Sequence, residues 1–384
     1  MSVDQEAINE ELTMFRDMVL RFFEQEVTPN YEQWEKDHIV PREFWNTMGE
    51  AGLLCVDMPE EYGAAATSLD VQMMIMEEMS RLGFGGLASG YNIHSNIVAP
   101  YIFHIGSDAQ KQKWLPKMVT GEAVAAIGMT EPGAGSDLAA LRTTAEKDGD
   151  EYVLNGSKVF ITNGILADLV IVCAKTDPSK GAKGISLFLV DTSTPGFSRG
   201  QKIEKIGQHA SDTAELFFEN MRIPADSLLG EEGMGFVYLM QELPRERLGC
   251  AVQGVGAAQG AIELAVDYVQ ERKAFGQEIG KFQNTRFKLA EQKADLEVTR
   301  AYVEKCMAKY KRGEMDTEDA AIVKLMATEM QLRVVNECLQ LFGGYGYTTE
   351  YPISRYYTDA RIQTIYAGTS EIMKEVISRG MLGR

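Results

Sequence analysis

The sequence predicts an α+β protein of several domains: an N-terminal α-helical domain, a middle β-barrel or sandwich, and a C-terminal four-helix bundle. Three observations predict it. At 384 residues the chain exceeds what one small core organises, so two or three domains are expected. The hydrophobic spacing changes along the chain, from three- and four-residue steps to alternation and back again. Turn signals crowd only the middle third, as short strands require. The expected boundaries are 1–122, 123–230 and 231–384.

In the first segment Leu12, Phe15, Val19, Phe22, Phe23 and Val27 recur at helical spacing, and Pro29 stops the run. SLDVQMMIMEEM reads as a helix capped by Ser68, and DAQKQKWLPKM as a short helix ended by Pro116. From about residue 123 the period becomes two. TTAEKDGDEYVLNGSKVFIT holds short strands with hairpin signals at Asp148-Gly149 and Asn155-Gly156, followed by the strands DLVIVCAK, GISLFLVD and AELFFENMRI. After Gly230 helices return. Leu248, Val252, Val255, Ile262, Ala265 and Val269 form one apolar stripe, and Phe287, Ala290, Ala294, Val298, Ala301 and Ala308 a second. A third run from about Glu318 to Leu341 stops at Gly343-Gly344, a C-cap pair. Long helices with short polar turns predict an antiparallel bundle.

Composition narrows the function. A net charge of −18 argues against nucleic acid and against an anionic membrane surface. No apolar run approaches the ~20 residues that span a bilayer. The opening MSVDQEAINEEL is acidic and lacks the pattern of a signal or transit segment. Cys55, Cys173, Cys250, Cys306 and Cys338 are scattered without metal-ligand spacing and read as reduced thiols of a cytoplasmic protein. His38, His94, His104 and His209 have no partner at metal or triad spacing. With HExxH, CxxC, GxSxG and a strand-to-helix GxGxxG all absent, metal-assisted hydrolysis and serine chemistry have no support.

Several stretches ask for a ligand. In MTEPGAGSD the glycines let backbone approach a phosphate, and Thr130 and Ser136 add hydroxyls. The same stretch also reads as a plain strand-to-strand loop. In KVFITNG, Phe160 and Thr162 fall two apart on one strand face, where one could pack on a flat ring and the other bond its edge. ERKAFGQEIGKFQ breaks a helix with Arg272, Lys273, Gly276 and Gly280, either as a C-cap or as a pyrophosphate cradle, and places Gln283 at the next helix. In IYAGTSEIM, Gly368 and Thr369 open a helix whose free N–H groups suit an anion or oxyanion. LPRERLGC sets Glu246 between Arg245 and Arg247 where a small-residue apolar helix is expected to begin, so its first reading is a capping acid in a first turn.

Taken together, MTEPGAGSD, KVFITNG, ERKAFGQ, QLFGGYGY and IYAGTSEI, in this order and spacing, closely resemble the acyl-CoA dehydrogenase family along essentially the whole chain. LPRERL and HSNIV are most similar to its long-chain and isovaleryl-type members. The resemblance implies a homotetramer, a dimer of dimers, with FAD between the β domain and the bundle. Carried over by motif, Ile127, Met129, Thr130, Gly135 and Ser136 bind FAD, with Phe160 and Thr162 beside the isoalloxazine ring. Arg272, Phe275, Gln283, Gln340, Leu341, Gly343 and Gly344 reach the cofactor of a neighbouring subunit, and Thr369 and Glu371 touch it at the last helix. Ser136, Arg247, Tyr366, Ala367 and Gly368 contact the acyl-CoA substrate.

The reaction implied is α,β-dehydrogenation of a fatty acyl-CoA to the trans-2-enoyl-CoA, with electrons passed to an electron-transferring flavoprotein. A flavin ribityl hydroxyl and the Ala367 N–H would polarise the thioester carbonyl. Many family members carry the catalytic Glu where this chain has Ala367, and a methyl accepts no proton. Long-chain and isovaleryl-type members take the base from the LPRERL helix instead, which makes Glu246 the expected base. The two flanking arginines are expected to keep Glu246 ionised in the free enzyme, with its pKa raised only when the acyl chain expels water. Rival readings are an acyl-CoA oxidase-type flavoenzyme, an inactive acyl-CoA- and FAD-binding protein motivated by Ala367, and a structural helical assembly.

Overall fold

Apolar residues at helical spacing build the N-terminal part as seven α-helices in the computed structural model, which describes residues 3–383, with side chains from residue 12. Most of the acidic opening therefore lies outside the described side chains. Helix α1 (Val3–Phe22) passes into a π-helical turn at Phe23–Val27, and Val19, Phe23 and Val27 are fully buried. Helices α2 (Tyr31–Asp37), α3 (Arg42–Glu50) and α4 (Leu69–Arg81) follow. Ser68 sits at the N-cap of α4 but its side chain makes no capping hydrogen bond.

Helix α5 (Gly85–Tyr91), a π-helical stretch (Asn92–Val98) and α6 (Ala99–Ile105) run on from one another. Wide π turns redirect side chains, and such turns concentrate at functional sites. Helix α7 (Asp108–Val119) starts with a capping box between Ser107 and Gln110. It does not end at Pro116, as expected, but continues through it. The missing N–H removes a single bond, whereas stopping would forfeit the burial of Met118 and Val119.

The middle part is one eight-stranded sheet in the order β6-β7-β3-β2-β4-β5-β8, with β1 beside β4. Its strands are β1 (Ala125–Gly128), β2 (Thr144–Asp148), β3 (Glu151–Thr162), β4 (Leu169–Lys175), β5 (Ile185–Asp191), β6 (Phe197–Lys202), β7 (Thr213–Pro224) and β8 (Leu228–Leu229). Alternation along β4 and β5 serves two interiors. Val170, Val172, Phe188 and Val190 join Tyr152, Leu154, Leu216 and Phe218 of β3 and β7, so the sheet folds back on itself. Leu169, Ile171, Leu187 and Leu189 pack instead against Tyr101, Trp114, Leu115 and Leu239 of the helices.

Asp148-Gly149 makes the expected hairpin, but Asn155-Gly156 does not. It is a bulge inside β3, where pairing with β7 slips by a residue and Asn155 Oδ1 accepts from Asn220 N at 2.8 Å. With β2 only five residues long, β3 outruns it and must continue along β7.

The C-terminal part comprises α8 (Gly235–Glu271), a small hairpin of β9 (Lys273–Ala274) and β10 (Gln277–Glu278), then α9 (Gln283–Lys311), α10 (Thr317–Phe342), α11 (Ile353–Gln363) and α12 (Ser370–Leu382). Helix α10 packs against each of the other four. The first apolar stripe is buried as expected, whereas the second is reversed. On α9 the inward residues are Thr285, Gln292, Leu296, Thr299, Val303 and Cys306, while Phe287 and Val298 are 57% and 67% exposed. The inward face is the one that carries Leu296, Val303 and Cys306 into the core, and the alanine-rich stripe is left outward.

Helix α8 starts at Gly235, so Glu246 lies about three turns inside it and cannot be a first-turn capping acid. Its small residues set how closely other helices approach. A Cβ on Gly249 would come 2.6 Å from Asn96 Nδ2, and one on Gly260 would come 1.9 Å from the Arg81 carbonyl oxygen. These contacts bring the π-helical stretch and α4 against the segment carrying Glu246.

Candidate active site

On α8 the run Arg245-Glu246-Arg247 is buried, each residue 5–6% exposed, and successive side chains diverge around the helix. Arg245 turns to the N-terminal helices. Its Nε donates to the Asn96 carbonyl (3.0 Å) and Oδ1 (2.9 Å), and its Nη2 pairs with Asp57 Oδ2 at 2.7 Å. Burial alone would lower the Arg245 pKa, but Asp57 opposite more than offsets this.

Glu246 faces elsewhere. The buried Tyr101 hydroxyl donates to Glu246 Oε1 at 2.8 Å. Burial pushes its carboxyl up to about 7, Tyr101 and Arg247 pull it down, and Glu242 one turn earlier adds to the rise. The expectation that two arginines hold Glu246 ionised in the free protein is thus corrected. Arg245 is spent on Asp57, and desolvation outweighs Arg247 before any substrate arrives. Near pH 7 such a carboxyl is poised to take a proton.

Arg247 is the third member. Its Nε and Nη1 are buried without a hydrogen-bond partner, and burial lowers its pKa. Its Nη2 would lie 3.6 Å from a Cβ on Gly368, which places it against the loop before α12. A buried guanidinium with free donors suits an incoming oxygen.

That loop holds an unusual backbone. Ala367 has φ 51° and Gly368 φ 97°, and Thr369 caps α12 by accepting from Ile372 N at 3.3 Å. The fully buried Lys324 of α10 donates to the Gly368 carbonyl at 2.7 Å, and Ser370 Oγ donates to Glu329 at 2.6 Å. Among the described residues the Ala367 N–H has no partner, so it is free to donate. Tyr366 carries its buried hydroxyl beside Ser89 and Gln208, without ordinary hydrogen-bond geometry to either. Glu371 is exposed on the first turn of α12.

The loop containing Thr130, Gly135 and Ser136 is tied down from below. Lys158, fully buried, pairs with Glu131 at 2.7 Å, and Glu131 also accepts from Arg142 N and Thr143 N. Gly135 and Ser136 stay exposed, with open space where a Gly135 Cβ would be. Phe160, at φ 61° on a second bulge of β3, is 65% exposed beside the half-buried Thr162. Ile127 and Met129 pack into the cluster around Tyr101, which links this loop to Glu246.

The remaining residues lie on an outer face. Arg272 sits over the Tyr345 ring at 5.5 Å, which joins the hairpin after α8 to the end of α10. Phe275 is 95% exposed, Gln283, Gln340, Gly343 and Gly344 are exposed, and Leu341 is half-buried. The structure therefore gathers the sequence-derived residues into three groups. Sequence reasoning missed Tyr101, Asp57, Asn96, Lys324 and the Glu131–Lys158 pair. HSNIV, which contains Asn96, and the motifs MTEPGAGSD and KVFITNG, which contain Glu131 and Lys158, carried the local signal; Tyr101, Asp57 and Lys324 had none.

Three family models match consecutive stretches: the acyl-CoA dehydrogenase N-terminal domain over residues 9–122, the middle domain over 126–221 and the C-terminal domain over 233–382. The chain belongs to the acyl-CoA dehydrogenase family. The mitochondrial long-chain specific acyl-CoA dehydrogenase of Sus scrofa is 48% identical over 368 residues, 95% of this chain and 85% of that protein. Glutaryl-CoA dehydrogenase of Mycobacterium smegmatis in complex with FADH2 superposes with a TM-score of 0.91 at 31% identity, covering 97% and 95% of the two chains. A chain in the solved structure of the electron transferring flavoprotein of Acidaminococcus fermentans superposes at 0.94, with 40% identity and 98% of each chain covered.

The protein is an oxidoreductase whose cofactor is FAD. Its own residues fit that group: an exposed aromatic beside a hydroxyl at Phe160 and Thr162, open glycine backbone at Gly135, and a capped helix start at Thr369. No helix among the described residues is long and apolar enough to cross a membrane, and no group of His, Cys, Asp or Glu among them could hold a metal.

Proposed function

We propose that this chain dehydrogenates medium- to long-chain straight acyl-CoA thioesters to trans-2-enoyl-CoA, with Glu246 taking the Cα proton. The observation that carries this is a carboxyl buried against Tyr101, with its pKa pushed up to about 7, in a chain with alanine at 367. FAD held by Ile127, Met129, Thr130, Gly135, Ser136, Phe160 and Thr162 supplies the hydride acceptor for Cβ. Tyr101 orients the Glu246 carboxylate, and the free Ala367 N–H donates to the thioester oxygen as charge builds there. Arg247 brings its two unpaired donors to the same loop, and Lys324 fixes the loop's backbone.

Electrons then pass to an electron-transferring flavoprotein, in keeping with the similarity to a chain in such a structure. Assembly as a homotetramer is supported by the exposed Phe287 and Val298 on α9 and by the exposed Arg272, Phe275 and Gly343 face. The test is anaerobic titration with acyl-CoAs of graded length, followed by flavin absorbance. Bleaching that is stronger with twelve-carbon than with isovaleryl-CoA is expected. A protein that binds acyl-CoA yet never bleaches would overturn the reading, and rapid aerobic reoxidation with stoichiometric peroxide would favour an oxidase.

A further inference from the structure

Helices α6 and α8 meet through two matched contacts. Tyr101 and His104 lie three residues apart on α6, and Glu246 and Glu242 four apart on α8, so each pair shares one helix face. The Tyr101 hydroxyl donates to Glu246 Oε1 at 2.8 Å, and His104 Nδ1 lies 2.8 Å from Glu242 Oε1. The two helices run antiparallel here, so the second contact stands one turn from the first. Exposure rises along the pair. Tyr101 and Glu246 are 0% and 6% exposed and Glu242 is 7% exposed, whereas the His104 side chain is 42% exposed.

Glu242 acts on Tyr101 of α6, on Arg245 and Glu246 of its own helix, and on Tyr310 of α9. Burial keeps the protons of the two tyrosines in place, and Arg245 stays charged against its burial because of Asp57. Of these neighbours and His104, only the Glu246 carboxyl and the imidazole trade protons near neutral pH. Side chains four apart on a helix have stems about 5–6 Å from each other, a gap that two carboxyls cross directly or through one water.

We propose that Glu242 and His104 form a proton exit from Glu246 to the surface, separate from the route that substrate and product use. The inference rests on the proposed reading of Glu246 as the base. Under that reading each turnover leaves one proton on Glu246, the hydride having gone to FAD. A bound acyl chain excludes water from the substrate side, so a carboxyl served only from there stays protonated until product departs. Through the exit, the O–H bond on Glu246 breaks and one forms on Glu242. The proton then passes to His104 Nδ1, and the imidazolium gives up its Nε2 proton to bulk water. Exchange with water at the exposed ring resets the tautomer. Glu246 is left as the carboxylate that the next turnover needs.

The test mixes the FAD-loaded enzyme with dodecanoyl-CoA in anaerobic stopped flow, in weak buffer at about pH 8, where Glu246 starts ionised. Flavin absorbance reports reduction, and a pH-indicator dye reports protons reaching bulk water. In the wild type the dye should respond in step with flavin reduction. Glu242→Gln removes the middle of the exit, and His104→Gln keeps a hydrogen bond to Glu242 but carries no proton. Each should slow proton release relative to flavin reduction by about 10-fold or more. His104 is exposed, so its variants should fold even where Glu242→Gln does not. Imidazole added to His104→Ala should restore proton release, which a merely structural role for the ring would not allow. Variant protons that keep pace with reduction, or a wild-type proton that lags as far as theirs, overturn the exit and leave Glu246 as the base. Failure of every acyl-CoA to bleach the flavin overturns both.

Discussion

At the scale of a single residue, the question is whether a buried carboxyl can do the work that a glutamate at 367 does elsewhere in the family. Glu246→Gln keeps the shape and the Tyr101 contact but removes the basicity. It should retain FAD and acyl-CoA binding yet slow stopped-flow flavin reduction by at least ~10³-fold, roughly 4 kcal/mol in the transition state. Ala367→Glu in that background should restore part of the rate. The wild-type reduction rate should rise with pH and level off above about 7, because only the ionised carboxyl accepts the proton. The same shift has a stability sign. The folded pKa of about 7 lies above the ordinary 4.5, so stability present at low pH is lost as pH rises through 7, by roughly 3 kcal/mol. Glu246→Gln should therefore melt higher than wild type at pH 8 and alike at pH 4.5. Lys324 acts one step back, through the Gly368 carbonyl that it holds at 2.7 Å. Lys324→Met should lower kcat about 10-fold with little change in KM or melting temperature, since a buried ammonium is itself costly. A KM effect without a kcat effect would show that the loop is held by other contacts.

At the scale of elements, what could be read ahead of the structure followed local chemistry. Helical spacing located α1, α4 and α8 to α10, and alternation located β4, β5 and β7, because each of those patterns needs only its own residues. Readings that failed depended on partners. Asn155-Gly156 is a bulge because β7 is longer than β2; Pro116 is tolerated because its neighbours are buried; α9 faces the other way because Leu296, Val303 and Cys306, not the alanine-rich stripe, join the core. The site divides similarly. Glu246 and the glycine-rich loop were legible from motif, but Tyr101 lies 145 residues away from its partner in sequence and only the fold unites them. The loop over residues 129–136 makes the element-level case testable. Lys158 and Glu131 form a buried pair beneath it, so Lys158→Met leaves the buried carboxylate with only the Arg142 and Thr143 N–H donors and should cost about 3 kcal/mol. FAD should be retained less well in the same variant, measured by flavin absorbance after gel filtration. The double change Lys158→Met with Glu131→Gln should recover most of the stability. No recovery would mean that the pair is not the anchor.

For the whole molecule, the three groups of site residues do not stand in one place within a single chain. Phe160 and the 129–136 loop adjoin the Tyr101 cluster, whereas Arg272, Phe275, Gln340, Gly343 and Gly344 present an outer face that meets nothing here. An exposed phenylalanine at 95%, an arginine stacked on an exposed tyrosine and glycines with open space describe a surface built to receive something. If that something is a neighbour's FAD, cofactor binding and assembly are one equilibrium. Arg272→Ala should then release FAD and shift the tetramer toward smaller species together, seen as parallel loss of yellow colour and of mass by light scattering. Added FAD should reverse both changes in concert, because ligand that binds only the assembled form pulls the equilibrium back. The flavin itself should leave with the supernatant on acid precipitation, since the residues offered to it include no cysteine or histidine placed to bond it. A monomer that keeps its flavin at high dilution would separate the two properties, and would assign the Arg272 face to some other ligand.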